Sequence, residues 1–319
     1  YICMKRTFVG LLLAVYIGGL AQPVKAQTKD NLKGEISLSG AFALYPMVVK
    51  WAEEFKKIHP NVRIDISGGG AGKGMTDALA KVVDLGMVSR DVHDVEFKKG
   101  AVAFAVVKDA VVPTVNAANP LIRDIKAKGL KRNVALSLWS GKCKTWGNVL
   151  GTTSKVPVHV YTRSDACGAA ETWAAWFGKR QEDLEGTAVF GDPGVASAVQ
   201  KDKVGIGFNN IAYAYDQKTR RPYAGLAIIP LDVNGNGKID PEENFYDNSL
   251  SLIKAIVSGK YPSPPARNLF LVSNGVPKKP EVIEFIKYIL TEGQKYANAT
   301  GYIGLSKTTI NQELAKLKK

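Results

Sequence analysis

Short runs of apolar residues, rich in Val and Ile, alternate with longer amphipathic stretches along most of the chain. The short runs predict buried strands at residues 64–66, 85–88, 101–107, 156–161, 204–207, 227–231 and 269–272. In the longer stretches the apolar positions recur at intervals of three and four, as they do on one face of a helix. These stretches predict helices at residues 46–59, 75–83, 169–179 and 281–290. The alternation predicts an α/β fold with helices on both faces of its sheets.

The length and composition fit an ordinary globular protein. The chain has 319 residues, which favours two domains at about 150 residues each. Hydrophobic residues make up 45% and charged residues 23%, which excludes a disordered or fibrous protein. No internal repeat or low-complexity linker is visible.

The N-terminal segment has the parts of a secretory signal. An apolar run at residues 7–21 follows two cations and precedes a cleavage site with small residues at its −3 and −1 positions: Lys5, Arg6, Val24 and Ala26. We therefore expect residues 1–26 to be a cleaved signal peptide and the mature, periplasmic protein to begin at Gln27. A retained membrane anchor is the alternative, but the run is near the short end for a spanning helix.

The charge favours an anionic partner. The formal net charge is +14, and loss of Lys5, Arg6 and Lys25 with the signal peptide leaves +11. The basic residues form no stripe interleaved with aromatic residues, so nucleic-acid binding is not expected. The histidines are too scattered to suggest a metal site: His59, His93 and His159.

Two cysteines remain after export, Cys143 and Cys167, because Cys3 belongs to the signal peptide. Two thiols make no disulfide framework, so the fold depends on its hydrophobic core, and whether the two pair is open on the sequence. A hydrolase with Cys167 as its nucleophile is the enzymatic alternative, although no activating triad is visible.

Three loops that lead into predicted helices share a small, glycine-rich composition. They are Ser39-Gly40-Ala41-Phe42-Ala43, Ser67-Gly68-Gly69-Gly70-Ala71-Gly72-Lys73-Gly74 and Arg163-Ser164-Asp165-Ala166-Cys167-Gly168-Ala169. Each presents unpaired backbone N–H groups at a helix N-terminus, which favours an anion. One such loop alone is more often an ordinary turn, but three of them, with Ser89-Arg90-Asp91 after a strand, indicate an anion site. The second loop matches neither nucleotide-binding fingerprint.

Together with other short motifs, these loops resemble the periplasmic phosphate-binding proteins of ABC importers, which have the type II binding-protein fold. The motifs are Tyr45-Pro46 with Lys50-Trp51, Val83-Asp84-Leu85-Gly86 with Ser89-Arg90, Asn119-Pro120, Leu138-Trp139-Ser140-Gly141-Lys142 with Trp146, Val204-Gly205-Ile206-Gly207-Phe208, and Gly293-Gln294 with Gly301-Tyr302. The resemblance covers nearly the whole mature chain. It implies two α/β domains joined by crossing strands, with a ligand cleft between them.

The resemblance also implies an organisation and a role. Domain I would comprise residues 27–109 and 256–319, and domain II residues 110–255. The protein would be a monomer without enzymatic activity that captures phosphate or a related oxyanion and delivers it to the membrane subunits of an ABC importer. A signalling or scavenging relative without a transport role would carry the same loops, and a neighbouring permease gene would distinguish the two.

Residue by residue, the resemblance implies that Arg163 pairs with the anion, that Asp165 orients Arg163, and that the N–H of Gly168 faces the anion. The full implied set is Ala41, Phe42, Gly70, Ala71, Gly72, Ser89, Arg90, Asp91, Arg163, Asp165, Cys167, Gly168 and Ala169. Asp91 stands where some members place an acid that accepts the proton of monohydrogen phosphate. Several positions that carry Ser or Thr in the family carry Ala or Cys here, which leaves the choice between phosphate and another oxyanion open.

Residues 232–243 match a twelve-residue calcium loop, independently of that resemblance. The expected oxygen donors are Asp232, Asn234, Asn236, Lys238 through its backbone carbonyl, Asp240 and Glu243. Gly237 permits the sharp turn within the loop. Because the flanking residues do not form a clear pair of helices, we expect a structural Ca²⁺ rather than a calcium sensor. A solvated Asp/Asn turn is the alternative.

Overall fold

The computed structural model describes residues 31–318. The predicted signal peptide, residues 1–26, and the predicted mature start at Gln27 lie outside the described residues. The strands are β1 (Gly34–Gly40), β2 (Val62–Gly68), β3 (Leu85–Val88), β4 (Ala101–Asn116), β5 (Leu130–Lys131), β6 (His159–Arg163), β7 (Thr187–Val189), β8 (Gly205–Asn210), β9 (Leu226–Ile228), β10 (Leu231–Asp232) and β11 (Ala266–Asn274).

Most of the helices lie between these strands, and the last two follow β11. They are α1 (Tyr45–Ile58), α2 (Ala71–Leu79), α3 (Asp94–Lys98), α4 (Ile122–Lys128), α5 (Arg132–Trp139), α6 (Trp146–Leu150), α7 (Gly168–Trp176), α8 (Gly191–Lys201), α9 (Ile211–Ala214), α10 (Ser249–Val257), α11 (Pro280–Leu290) and α12 (Lys307–Ala315). Single 3₁₀ turns lie at Gln181–Asp183, Pro241–Glu243, Glu292–Tyr296, Asn298–Thr300 and Lys316–Lys318.

The structure has more elements than the sequence predicts, and three of the differences have clear local reasons. The second helix begins at Ala71 rather than at residue 75, because Gly70 adopts a φ of 87° and turns the chain directly into α2. The strand predicted at 227–231 is divided into β9 and β10 by Pro230, which has no N–H to donate to a ladder. β1 was not predicted, since few of its residues are apolar.

One long strand joins the two halves of the sheet. β4 pairs antiparallel with β11 along its first half and with β8 and β9 along its second half. The strand order is β2-β1-β3-β11-β4-β8-β6-β7, with β9 beside β4. β4 and β11 are therefore the crossing strands.

Two hydrophobic clusters flank this crossing. The first contains Trp51, Phe55, Phe104, Leu271 and Phe285, and the second contains Val112, Trp139, Trp146, Trp173 and Phe208. Along β4 the change from the first cluster to the second falls between Val107 and Ala110. We call the parts built around these clusters the first lobe and the second lobe. The residue boundaries of the two domains stay a prediction.

The parallel strands of each lobe deliver their loops to one place. In the first lobe β1 pairs in parallel with β2 and β3, which end at Gly68 and Val88. In the second lobe β6 pairs in parallel with β7, with Arg163 opposite Val189 at their ends. Because the carboxyl ends of parallel strands share one edge of a sheet, the loops that follow them meet in the cleft.

Candidate anion-binding site

The N-terminus of α7 presents backbone donors to the cleft. Cys167 caps this helix, since its Sγ accepts from the N–H of Ala170 at 3.4 Å. Neither Gly168 nor Ala169 donates its N–H to any other residue among 31–318. Two unpaired N–H groups at the positive end of a nine-residue helix favour an anion.

The first lobe closes directly onto this helix. A Cβ atom added to Gly168 would lie 2.0 Å from the carbonyl oxygen of Ser89 and 2.5 Å from its Oγ. The N–H of Gly72 donates across the cleft to the carbonyl of Ala166 at 3.1 Å. The two lobes are therefore in contact, with Ser89 and the loop before α2 facing the start of α7.

Arg163 lies buried at the end of β6, with its side chain 1% exposed. Its Nε and Nη2 donate to the two carboxylate oxygens of Asp165 at 2.8 and 2.6 Å. Its Nη1 donates to Asp192 Oδ2 at 2.6 Å. Burial opposes the charge, but the field of Asp192 and the bonds from Asp165 keep the pKa of Arg163 above its usual range. Three of the five guanidinium N–H donors are used in this way, which leaves two for a ligand.

Asp165 holds the guanidinium of Arg163 with both carboxylate oxygens, and its role toward an anion stays a prediction. Its Oδ1 also accepts the N–H of Gly191 at 3.0 Å, and its backbone carbonyl accepts from Gln181 at 2.7 Å. Although burial acts in the opposite direction, the bonds from Arg163 lower the pKa of Asp165. The carboxylate is therefore ionised and fixed, and it holds the guanidinium plane in one orientation.

Phe42 covers the guanidinium from the first lobe. The Cζ atom of Arg163 lies 5.9 Å from the centre of its ring. Phe42 also packs edge-on against Phe190 at 5.7 Å, and its carbonyl accepts from the hydroxyl of Tyr213 at 3.1 Å. Its contribution at the site is an aromatic cover that crosses between the lobes.

A second buried arginine lies behind the first and was missed on the sequence. Arg267 donates to Thr172 Oγ1 at 3.0 Å and to Asn210 Oδ1, and it lies 3.5 Å from Asp109 Oδ2. The N–H of Asn210 donates to Asp192 Oδ1 at 3.0 Å, which connects Arg267 to Arg163. These residues come from β4, α7, α8, β8 and β11. The signal available in the sequence is Asp109, an acid within a largely apolar strand.

This buried cluster contains polar atoms without a hydrogen-bond partner among residues 31–318. They are both carboxylate oxygens of Asp109, Nδ2 of Asn210 and Nε of Arg267. Buried polar groups of native proteins are nearly always bonded, and ordered water commonly supplies the missing partner. Donors and acceptors grouped in this way fit one or more waters behind the anion site.

We expect Asp109 to make the protein less stable as the pH rises from about 4 to about 7. Burial raises the pKa of Asp109 to about 7, although Arg267 opposes the shift. In an unfolded chain the pKa of Asp is about 3.9. In this range the folded protein keeps a proton that the unfolded chain has released. The free energy of unfolding therefore falls by at most about 1.4 kcal/mol per pH unit.

Urea unfolding of the parent and of Asp109→Asn between pH 4 and pH 8 measures this effect, since the variant lacks the titrating group. The stability difference between the two proteins should change with pH in that window. Asp91→Asn, at an exposed position, is the matched control. A pH-independent difference for Asp109→Asn would show that Asp109 is already charged at pH 4.

The structure brings together part of the predicted set. The loop at Arg163, Asp165, Cys167, Gly168 and Ala169 meets Phe42, Gly70, Gly72 and Ser89 in the cleft. The backbone N–H groups of Phe42 and Ala71 have no partner among residues 31–318. The N–H groups of Ala41, Gly70 and Gly72 were expected to be free, but they donate to Met87, Gly40 and Ala166. These three residues shape the cleft and supply no free backbone donor.

Arg90 and Asp91 are not part of this cluster. The guanidinium of Arg90 donates to both carboxylate oxygens of Glu96, at 2.8 and 2.6 Å, and lies 3.2 Å from Glu171. Asp91 is exposed. Asp91 also lines a cavity with Thr172 and Arg267, and its expected role as the acceptor of a phosphate proton stays a prediction.

Both described cysteines are free thiols. Burial raises the pKa of the Cys167 thiol to about 12, so it stays protonated at neutral pH. A protonated thiol is a poor nucleophile. The bond that the structure shows for the Cys167 sulfur is the cap of α7, and its predicted part in anion binding stays a prediction.

The calcium-type loop folds back on itself between β10 and the turn at Pro241–Glu243. Asp232 accepts the N–H groups of Gly235, Asn236 and Gly237, and Glu243 accepts those of Val233 and Asn234. Asp240 accepts from Asn234, Asn236 and Lys238. Within residues 31–318 no three Asp, Glu, His or Cys side chains stand close enough together to hold a metal ion. A Ca²⁺ ion in this loop therefore requires Lys238 to leave Asp240 and the two Asn side chains to turn their oxygens inward.

The model of the PBP superfamily domain matches residues 25–292. The chain belongs to the PBP superfamily. Among relatives in this superfamily, the phosphate-binding protein PstS of Methanocaldococcus jannaschii is 28% identical, over 90% of this chain and 86% of that protein. PstS of Staphylococcus aureus is 24% identical, over 91% of this chain and 84% of that protein.

Solved structures of the superfamily show the same two-domain type II fold, which confirms the expected architecture. A candidate phosphate ABC transporter substrate-binding protein from Clostridium perfringens, solved with bound phosphate, has a TM-score of 0.70 and 22% identity, over 86% of this chain and all of that one (100%). An ABC-type phosphate transport receptor from Vibrio cholerae has a TM-score of 0.62 and 19% identity, over 85% and 100% of the two chains. Each helix within residues 31–318 is too short or too polar to span a bilayer.

Proposed function

We propose that the protein captures phosphate or a related oxyanion in the cleft and delivers it to the membrane subunits of an ABC importer. The observation that carries the proposal is Arg163, which is buried and held by Asp165 and Asp192 with two N–H donors still free. Arg163 ends the strand before α7, and the unpaired N–H groups of Gly168 and Ala169 lie at the start of that helix. Charge-assisted bonds and oriented backbone dipoles in a closed cleft recognise a tetrahedral oxyanion.

Export to the periplasm and action as a monomer belong to the same proposal, with no role for nucleic acid. The relatives named as phosphate-binding proteins support the phosphate assignment. The family has hydroxyl side chains where this chain has Ala41, Ala71 and Ala169. Their loss lowers the expected affinity for phosphate, because each lost bond to a charged ligand is worth about 1–3 kcal/mol. Backbone donors and Arg163 are unaffected by these changes.

Calorimetry of the desalted protein against phosphate, sulfate, molybdate and tungstate tests the proposal. We expect one site per chain, with phosphate the preferred anion. Saturation by none of the four anions would refute the proposal. A signalling or scavenging protein would bind in the same way, so transport requires a second measurement: phosphate uptake by membrane vesicles that contain the permease, with and without this protein.

We also propose that residues 232–243 bind a structural Ca²⁺. The donor types and spacing support it, and the two end carboxylates lie on buried residues, with Asp232 2% and Glu243 8% exposed. Three carboxylates among the ligands give an expected dissociation constant of about 10⁻⁶ to 10⁻³ M. Binding to the folded state alone adds about 2.7 kcal/mol of stability at a hundredfold excess of calcium over that constant.

We therefore expect a higher melting temperature in millimolar Ca²⁺ than in chelator, and a smaller effect of Mg²⁺, which accepts irregular coordination poorly. Glu243→Gln should abolish the calcium response, whereas Glu242→Gln, at the exposed neighbouring position, should preserve it. Melting curves that coincide in Ca²⁺ and in chelator would show that this loop is an Asp/Asn turn that binds no calcium. Anion affinity should change little on chelation.

A further inference from the structure

Glu171 of α7 joins the two lobes through an ion pair and a hydrogen bond. Its Oε2 lies 3.2 Å from Nε of Arg90, and its Oε1 accepts from Nε2 of His93 at 3.0 Å. Arg90 and His93 lie in the segment between β3 and α3, in the first lobe, whereas Glu171 belongs to the second. One carboxylate therefore bonds two cationic or donor groups of the opposite lobe.

The first-lobe side of this contact is preformed. Glu96 accepts two bonds from the guanidinium of Arg90 and a third from the backbone N–H of His93 at 2.8 Å. The side chains of Arg90 and Glu96 are only 10% and 12% exposed. Because Glu96 fixes the guanidinium of Arg90 and the backbone of His93, Arg90 loses little side-chain entropy when Glu171 docks against it.

The contact also separates two cavities of the cleft. A cavity of about 580 Å³ lies on the side of Ala166 and Gln181, and another of about 400 Å³ lies on the side of Thr172 and Arg267. Arg90 and Glu171 line both of them. If this pair separates, the two cavities are no longer divided at this point.

Glu171 is placed to act on the anion site without touching it. It stands in the first turn of α7, one turn after Gly168. Its contact with Arg90 therefore holds the start of α7 against Ser89, which faces Gly168. Opening of the lobes at this point has to break the bonds from both Arg90 and His93.

We propose that Glu171 is a positioning residue that latches the closed cleft through Arg90 and His93 and thereby sets the rate at which the anion leaves. The inference rests on the proposed oxyanion function and adds the group that controls release. Glu171 contributes no donor to the anion, so the latch acts on the lifetime of the closed form. Association starts from the open form and is therefore little affected.

Stopped-flow release and calorimetry with inorganic phosphate test the latch in the full mature chain. Glu171→Gln should release phosphate about tenfold faster, as expected for the loss of partly exposed charge-assisted bonds, with little change in the association rate. Glu182→Gln is the matched control, because Glu182 lines the same larger cavity and forms no ion pair within residues 31–318. Melting of the anion-free protein should be the same for both variants.

His93→Gln gives a second, independent measurement at an exposed position. It removes one of the two bonds, so release should accelerate by a smaller factor than in Glu171→Gln. The double variant should release phosphate no faster than Glu171→Gln, because Glu171 is the partner that both bonds share.

Each outcome decides between the two proposals. Faster release by Glu171→Gln, with Glu182→Gln like the parent, supports the latch. Release at the parent's rate by both Glu171→Gln and His93→Gln would overturn the latch while leaving the oxyanion function intact. A parent protein that binds no phosphate would overturn the proposed phosphate function, and the latch with it.

Discussion

Replacing Arg163 by Ala is expected to weaken phosphate binding at least about tenfold, since a charge-assisted bond contributes about 1.5–3 kcal/mol. Two N–H donors of Arg163 remain free for the anion, so more than one bond is lost. The variant also leaves the carboxylates of Asp165 and Asp192 without their cation. Their negative charges then face the anion, which weakens binding further.

The same change is expected to destabilise the protein. Removing one partner of a buried ion pair typically costs about 3–5 kcal/mol. Arg163→Lys should recover only part of the stability and part of the affinity. The compact ammonium group of Lys cannot donate to both oxygens of Asp165 and to Asp192 at once. Calorimetry and urea unfolding measure the two effects separately.

Arg180→Ala is the control for Arg163→Ala. Arg180 is a cation of the same lobe with a side chain 77% exposed, and it lines the cleft cavity rather than the buried cluster. It should leave affinity within a few-fold of the parent. If Arg163→Ala folds and binds phosphate as tightly as the parent, Arg163 does not contact the anion.

Replacing Gly168 by Ala is expected to prevent full closure. The added methyl would lie 2.0 Å from the backbone carbonyl of Ser89, which cannot move aside as a flexible side chain could. Overpacking of this kind typically costs about 1–3 kcal/mol, so phosphate affinity should fall by about tenfold to a hundredfold. The anion-free protein can relieve the contact by opening, so its melting temperature should change little.

Gly304→Ala is the matched control, because a Cβ at Gly304 would make only ordinary contacts at 3.5 Å or more. Calorimetry with phosphate and small-angle scattering compare the two variants. Gly168→Ala should stay expanded at phosphate concentrations that close the parent protein. Unchanged affinity together with full compaction would show that Gly168 does not approach Ser89 in the bound form.

Local sequence accounts for the part of the site that lies on one loop. Arg163, Asp165 and Gly168 are close in sequence, and the strand before them and the helix after them fix their relative positions. The fold class could be predicted because strand and helix periodicities differ and alternate. β1 escaped prediction because so few of its residues are apolar, although its pairing with β2 and β3 places it inside the sheet.

The rest of the site depends on contacts between distant segments. Asp192 and Arg267 lie far from Arg163 in sequence, and no spacing rule relates them. Contacts with other segments also decide where the side chain of Arg90 points, since its guanidinium bonds Glu96 and Glu171. Asp91 is exposed. A residue type in a motif indicates a possible ligand, but tertiary contacts decide where its side chain points.

A crystal structure of the protein grown with phosphate tests the central claim most directly. We predict one phosphate in the cleft, within hydrogen-bond distance of the Arg163 guanidinium and of the backbone N–H of Gly168 or Ala169, with Asp165 still bonded to Arg163. A phosphate bound elsewhere, with Arg163 contacting only Asp165 and Asp192, would contradict the account.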